Sequence, residues 1–125
     1  DVLIANGRRA FLEHSPIRIS SGAVPPIYRS CSYGPLLEVF AIDLRTYRGP
    51  NTANLQAAAG AATVHAGTQQ LEWLKRALRS SGATWKVIAS DLPVGLIVRD
   101  GATTFEAIAN ADADRRQDGF NRRSA

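Results

Sequence analysis

Methionine is absent from the 125 residues, cysteine occurs once, histidine twice and tryptophan twice. The lone Cys31 excludes an intrachain disulfide framework and a multi-thiolate zinc site. His14 and His65 lie fifty-one positions apart, and neither has a His, Cys or acid at ligand spacing; both read as surface or helix-capping residues. No window approaches the roughly 18 to 20 uninterrupted apolar residues of a membrane span. No Gly-rich phosphate loop of the Walker or dinucleotide type occurs, because Gly60, Gly67 and Gly82 stand alone. Ser90 has no base nearby in sequence, which argues against a Ser-His-Asp hydrolase. With Asp at position 1 and no initiating Met, the chain is expected to begin inside a longer gene product or at a processed end.

The residues present make one domain at most. Hydrophobic positions amount to 45% and charged ones to 21%, which excludes wholesale disorder. A globular chain of this length buries roughly 65% of its unfolded surface, which permits an autonomous core without guaranteeing one. The net charge of +4 is concentrated at one end. In the last eleven residues Arg115, Arg116, Arg122 and Arg123 are opposed only by Asp118; residues 113–125 read as a disordered basic tail, and the chain before the last eleven is nearly neutral. Such a tail can bind phosphates. A neutral body without interleaved aromatic and basic residues argues against a nucleic-acid domain.

Local pattern predicts an α/β chain. Asn6–His14 reads as a short helix with Ala10, Phe11 and His14 inward, stopped by Ser15-Pro16. Ile27–Tyr33 and Leu36–Leu44 read as two strands joined through Gly34-Pro35, a hairpin whose second strand is covered on both faces. Cys31 is expected to be half-buried, on one strand face with Arg29 and Tyr33. Residues 49–66 read as a mobile Ala-rich loop with a helical turn. Thr68 is placed to cap a helix with an inward stripe of Leu71, Leu74, Ala77 and Leu78, ended by Gly82. Trp85–Ala89 reads as a buried strand, completing an αβ unit, and Val94–Val98 as a further apolar run. Phe105–Asn110 reads as one or two helical turns.

Three blocks carry a resemblance: RRAFLEHSPIR, YRSCSYGPLLEVFAIDLRTYRGPN and GTQQLEWLKRALRSSGATWKVIASDLPVGLIVRDG. In order and spacing they resemble the middle of alkaline phosphatase D-like (PhoD-like) enzymes, metal-dependent phosphomonoesterases and phosphodiesterases of the calcineurin-like metallophosphoesterase superfamily. The resemblance covers roughly residues 7–112, so residues 1–112 are expected to form a central fragment of that domain. It implies a partial layered α/β sandwich, bacterial export, phosphate ester substrates, and a calcium and iron type metal centre whose bound hydroxide is the nucleophile. The upstream Asp-Asp-His type motif and the downstream Asp-x-His motif of the family do not occur in these residues. The chain alone is therefore expected to bind no metal and to be inactive without flanking segments of the same domain.

Five positions carry the remaining chemistry. Asp43, Arg45, Tyr47 and Arg48 resemble the family's Asp-x-Arg-x-Tyr-Arg signature. Asp43 and Arg45 share one face of an extended chain, and Arg48 can reach a phosphate from the loop. They are substrate-side candidates; alternatively, an ion pair and a tyrosine hydroxyl stitch the strand end to the loop. Asp91 stands where many calcineurin-like enzymes have a metal-binding His before a Pro. It is either a ligand for a hard cation or a cap on its own turn. A non-enzymatic anion- or partner-binding module and a degenerate gene fragment are the alternative functions. A buried strand without neighbours also predicts self-association.

Overall fold

The computed structural model describes residues 2–18, 26–53, 60–92 and 98–106. The predicted apolar run 94–98, most of the turn at 105–110 and the basic tail from 113 lie wholly or largely outside them. The architecture is mixed α/β, with helices beside a three-stranded sheet in the order β1-β2-β3.

Helix α1 (Val2–His14) begins earlier than the apolar spacing suggests. Its buried contact is Leu12, with Arg8 half-buried, while Ala10, Phe11 and His14 are exposed. The inward face is thus rotated from the predicted one. Strands β1 (Arg29–Tyr33) and β2 (Leu37–Ile42) form the predicted hairpin, with Tyr33 opposite Leu37 and Arg29 opposite Ala41. Gly34 makes the turn at φ +62°, a conformation that a side chain disfavours. Cys31 is exposed rather than half-buried, because the outer face of β1 has no neighbour among the described residues.

β2 is the central strand. Phe40 is completely buried, and the other five residues are half-buried. The chain then turns through α2 (Leu44–Tyr47), a single 3-10 turn at Ala61–Thr63, and α3 (Thr68–Ser80) into β3 (Trp85–Ser90). β3 pairs parallel to β2, from Leu37 opposite Trp85 to Ile42 opposite Ser90. The unit β2-α3-β3 is therefore a βαβ crossover. β3 departs from expectation in one respect: all six residues are exposed, including Trp85, Val87 and Ile88. With β2 its one hydrogen-bonded neighbour in the sheet, it is an edge strand whose faces no described element covers.

The inward face of α3 keeps Leu74, Ala77 and Leu78 as predicted and differs at its start. Leu71 is exposed and Gln70 is 1% exposed, with Trp73, Leu74, Ala77 and Leu78 half-buried beside it. Gly67, not Thr68, is the N-cap, and Thr68 is the first helical residue. Trp73 packs on Tyr28 at 4.8 Å between ring centroids, and Tyr28 packs on Tyr47 at 5.6 Å. This aromatic cluster ties α3 and α2 to the approach to β1. His65 is buried, contrary to a surface role. Residues 98–106 fold back on the loop: Phe105 is buried, bridges Thr52 and Arg99 in extended conformation, and lies 5.3 Å beneath the Arg99 guanidinium. Phe105 thus belongs to a bridge instead of a helical turn. No helix among the described residues is long and apolar enough to cross a membrane.

Candidate active-site cleft

The carboxyl ends of parallel strands leave side chains and main-chain groups without ladder partners, and α/β sites are built there. In this chain the ends of β2 and β3 open on a cleft of about 610 Å³. α1 lines it with Ile4, Arg8 and Phe11, and Asp43, Arg45, Thr46, Ser90 and Asp91 line it from the strand ends and α2.

Asp43 lies between β2 and α2, as the N-cap of α2. Its Oδ1 accepts a hydrogen bond from the Thr46 main-chain N–H at 2.9 Å, the arrangement of an aspartate N-cap. The following residues are helical, which corrects the extended reading of Asp43-Leu44-Arg45. Asp91 completes the cap from 47 positions away: Oδ1 accepts from Leu44 N–H at 3.0 Å and Oδ2 from Arg45 N–H at 3.2 Å. The N–H groups of the first three residues of α2 are thus all held by carboxylates. Such groups have no partner within a helix, and negative charge is favoured beside them.

Gln70 holds the same point from the opposite side. Its Oε1 accepts from Asp43 N–H at 2.7 Å, and its Nε2 donates to the carbonyls of Asp43 at 3.1 Å and Ala66 at 2.7 Å. Asp43 is 5% exposed, and its Oδ2 is buried with no hydrogen-bond partner among the described residues.

The five sequence candidates separate into two groups. Asp43, Arg45 and Asp91 meet at the cleft. Tyr47 turns away toward Tyr28, and burial raises its phenol above the usual range. Arg48 points at the 98–106 segment, where Nη1 donates to the Glu106 carbonyl at 2.6 Å; burial lowers the affinity of this guanidinium for its proton. Arg45 forms an ion pair with the Glu106 carboxylate while its side chain remains 59% exposed. Glu106 therefore links both arginines to the loop. Gln70, Arg8 and Glu106 were not singled out in the sequence. A polar residue three positions before Trp73 and four before Leu74, on an otherwise apolar helical face, was the signal for Gln70; nothing local marked Glu106.

A tightly held cation needs several convergent donors. Among the described residues no three or more His, Cys, Asp or Glu side chains converge in that way. In the cleft, three of the four carboxylate oxygens of Asp43 and Asp91 already accept main-chain N–H groups. These residues by themselves do not fit a metal centre.

Comparison with known proteins bears directly on the cleft. Alkaline phosphatase D of Bacillus subtilis (strain 168) is 32% identical over 93 residues, a match covering 67% of this chain and 16% of that protein. A solved structure described as "Structure of PhoD" superposes with a TM-score of 0.59 at 25% identity, covering 95% of this chain and 24% of the other. The chain thus spans a quarter or less of the length of either relative. The PhoD-like phosphatase family pattern matches residues 1–123, α1 through the segment beyond Glu106. Because that match runs along nearly the whole sequence, the chain belongs to the PhoD-like phosphatase family.

Proposed function

We propose that the chain works as an interior segment of a metal-dependent phosphomonoesterase or phosphodiesterase, where it shapes and charges one side of the substrate cleft. One observation carries the reading: Asp43 and Asp91, at the ends of parallel β2 and β3, together fix the start of α2 and so place Arg45 at the rim of the cleft. A guanidinium in that position offers paired donors and positive charge to a phosphoryl oxygen. Arg45 is the main substrate-side contact and Arg8 lines the same cleft; Asp43 and Asp91 fix the turn that carries Arg45, and Glu106 pairs with its guanidinium. Asp91 acts first as a cap; each of its oxygens keeps a second lone pair, so it adds at most one carboxylate to a cation site.

Family membership suggests dependence on metal ions, and calcium and iron type ions are the proposed cofactors of the whole enzyme, bound chiefly by residues outside those described. The sheet is proposed as part of a calcineurin-like layered sandwich. The exposed apolar residues of β3 support a covering partner, which the proposal assigns to flanking segments of the same domain; self-association is the expected behaviour when they are missing. An exported location is part of the same proposal, on family resemblance.

The test is a graft. This chain replaces the matching stretch of the Bacillus subtilis relative, and hydrolysis of an aryl phosphate is measured. A folded, active graft is expected, with Arg45→Ala raising KM about 10- to 100-fold, the scale of one charge-assisted hydrogen bond. A graft with native circular dichroism but no turnover, or an Arg45→Ala graft with unchanged kinetics, would refute the proposal.

A further inference from the structure

We infer that Gln70 is a positioning residue for the cleft, setting the main chain of Asp43 and, through Asp43, the cap that orients α2 and Arg45. Its link to catalysis rests on the proposed function; its effect on α2 does not.

The ladder of β2 ends at Ile42, opposite Ser90. Asp43, the next residue, is buried, and an unpaired main-chain N–H or C=O in a buried position is costly. A strand neighbour would meet both groups with one donor and one acceptor. The Gln70 amide supplies that pair from a single planar group, accepting from Asp43 N–H and donating to Asp43 C=O. A third bond, to Ala66 C=O, anchors the amide to the turn before α3. The side chain, 1% exposed, has no solvent-facing alternative. Glutamate would keep the acceptor and lose both donors; methionine would fill similar volume and lose all three bonds.

From Asp43 the constraint passes to the cap. The direction of Oδ1 toward Thr46 N–H depends on the Asp43 main chain, and the arginine beyond it follows the helical turn. The crossover helix of the βαβ unit thus also sets the residue at which β2 becomes α2. Small displacements of groups that hold a substrate lower rates out of proportion to their size.

The experiment measures amide hydrogen exchange in the 125-residue chain for wild type, Gln70→Met and Gln70→Glu. Expected for Gln70→Met is a loss of at least tenfold in protection at Thr46 N–H, which Gln70 does not touch, as well as at Asp43 N–H, while β2–β3 ladder amides keep theirs. Gln70→Glu is expected to fall between the two. Unchanged protection at Thr46, or equal loss throughout the sheet, would overturn the inference, the second result marking Gln70 as packing alone. In the grafted enzyme, Gln70→Glu is expected to lower kcat/KM about tenfold. An inactive wild-type graft beside a positive exchange result would remove the proposed function and leave the positioning role intact. An active graft indifferent to Gln70→Glu would overturn the catalytic link.

Discussion

Removing the Asp91 carboxylate tests whether its work is structural. In Asp91→Ala, the main-chain N–H groups of Leu44 and Arg45 lose their acceptors at 3.0 and 3.2 Å. Leu44 is 2% exposed, so water does not readily replace the carboxylate there, whereas Arg45 is exposed and its N–H can be hydrated. Leaving one buried donor unpaired costs about 1–3 kcal/mol, and loss of a helix cap typically costs about 1 kcal/mol. These describe overlapping effects, and about 2 kcal/mol is the expected loss. Unfolding entropy near 2.1 cal/mol/K per residue then places the fall in Tm at about 8 °C for a chain of 125 residues. Urea titration followed by far-UV circular dichroism, without added metal, is the assay; the midpoint should fall while the slope m stays constant. Asp91→Asn keeps one neutral acceptor and should lose about half as much. A change below about 0.5 kcal/mol in Asp91→Ala, or destabilisation appearing only when metal is added, would refute the capping argument.

Two further perturbations probe the surroundings of the cleft. Gly67 has φ +72° and ψ 141°, and a Cβ there would lie 3.2 Å from Tyr47 Cβ. Gly67→Ala should therefore destabilise the chain by about 2 kcal/mol, read as a shift of the urea midpoint; an unchanged midpoint would contradict it. For Tyr47, burial raises the phenol pKa above its unfolded value of about 10. The folded state then holds its proton more tightly, so this contribution to stability is full below pH 10 and lost as pH rises through the folded pKa. Unfolding free energy should decline with pH above about 10 in wild type and decline less steeply in Tyr47→Phe; identical slopes would refute the assignment.

The hairpin, α3 and the strand after it were legible because each has a local physical signal. Gly34-Pro35 separates two β-rich runs, and Leu74, Ala77 and Leu78 recur at helical spacing. The exact faces were less legible. α1 is rotated from prediction and α3 departs from it at Leu71, since burial depends on what packs opposite: Leu12 and Gln70 are the contacts made, and Gln70 is buried because its amide answers the main chain of Asp43. The exposure of β3 likewise depends on neighbours, and an apolar sequence such as Trp85–Ala89 reports only that a strand is suited to burial. Asp43, Arg45 and Asp91 could be named as site residues, but their roles could not be divided. Asp91 serves neither its own turn nor an evident metal cluster in the described structure; it binds N–H groups far away in sequence.

By itself, the sequence determined the hairpin, the long helix α3, the strand after it and the family, because helical period, strand composition and motif order are properties of neighbouring residues. Tertiary structure alone decided that β2 and β3 are parallel partners, and that decision brings Asp43 and Asp91 together at one end of the sheet. The division of labour follows from hydrogen bonding at chain ends. A strand end and a helix start both carry unpaired main-chain groups, and their partners here come from 27 and 47 positions away, Gln70 for Asp43 and Asp91 for Leu44. Only the folded βαβ crossover sets those partners within reach, and so only the fold places Arg45 on the cleft.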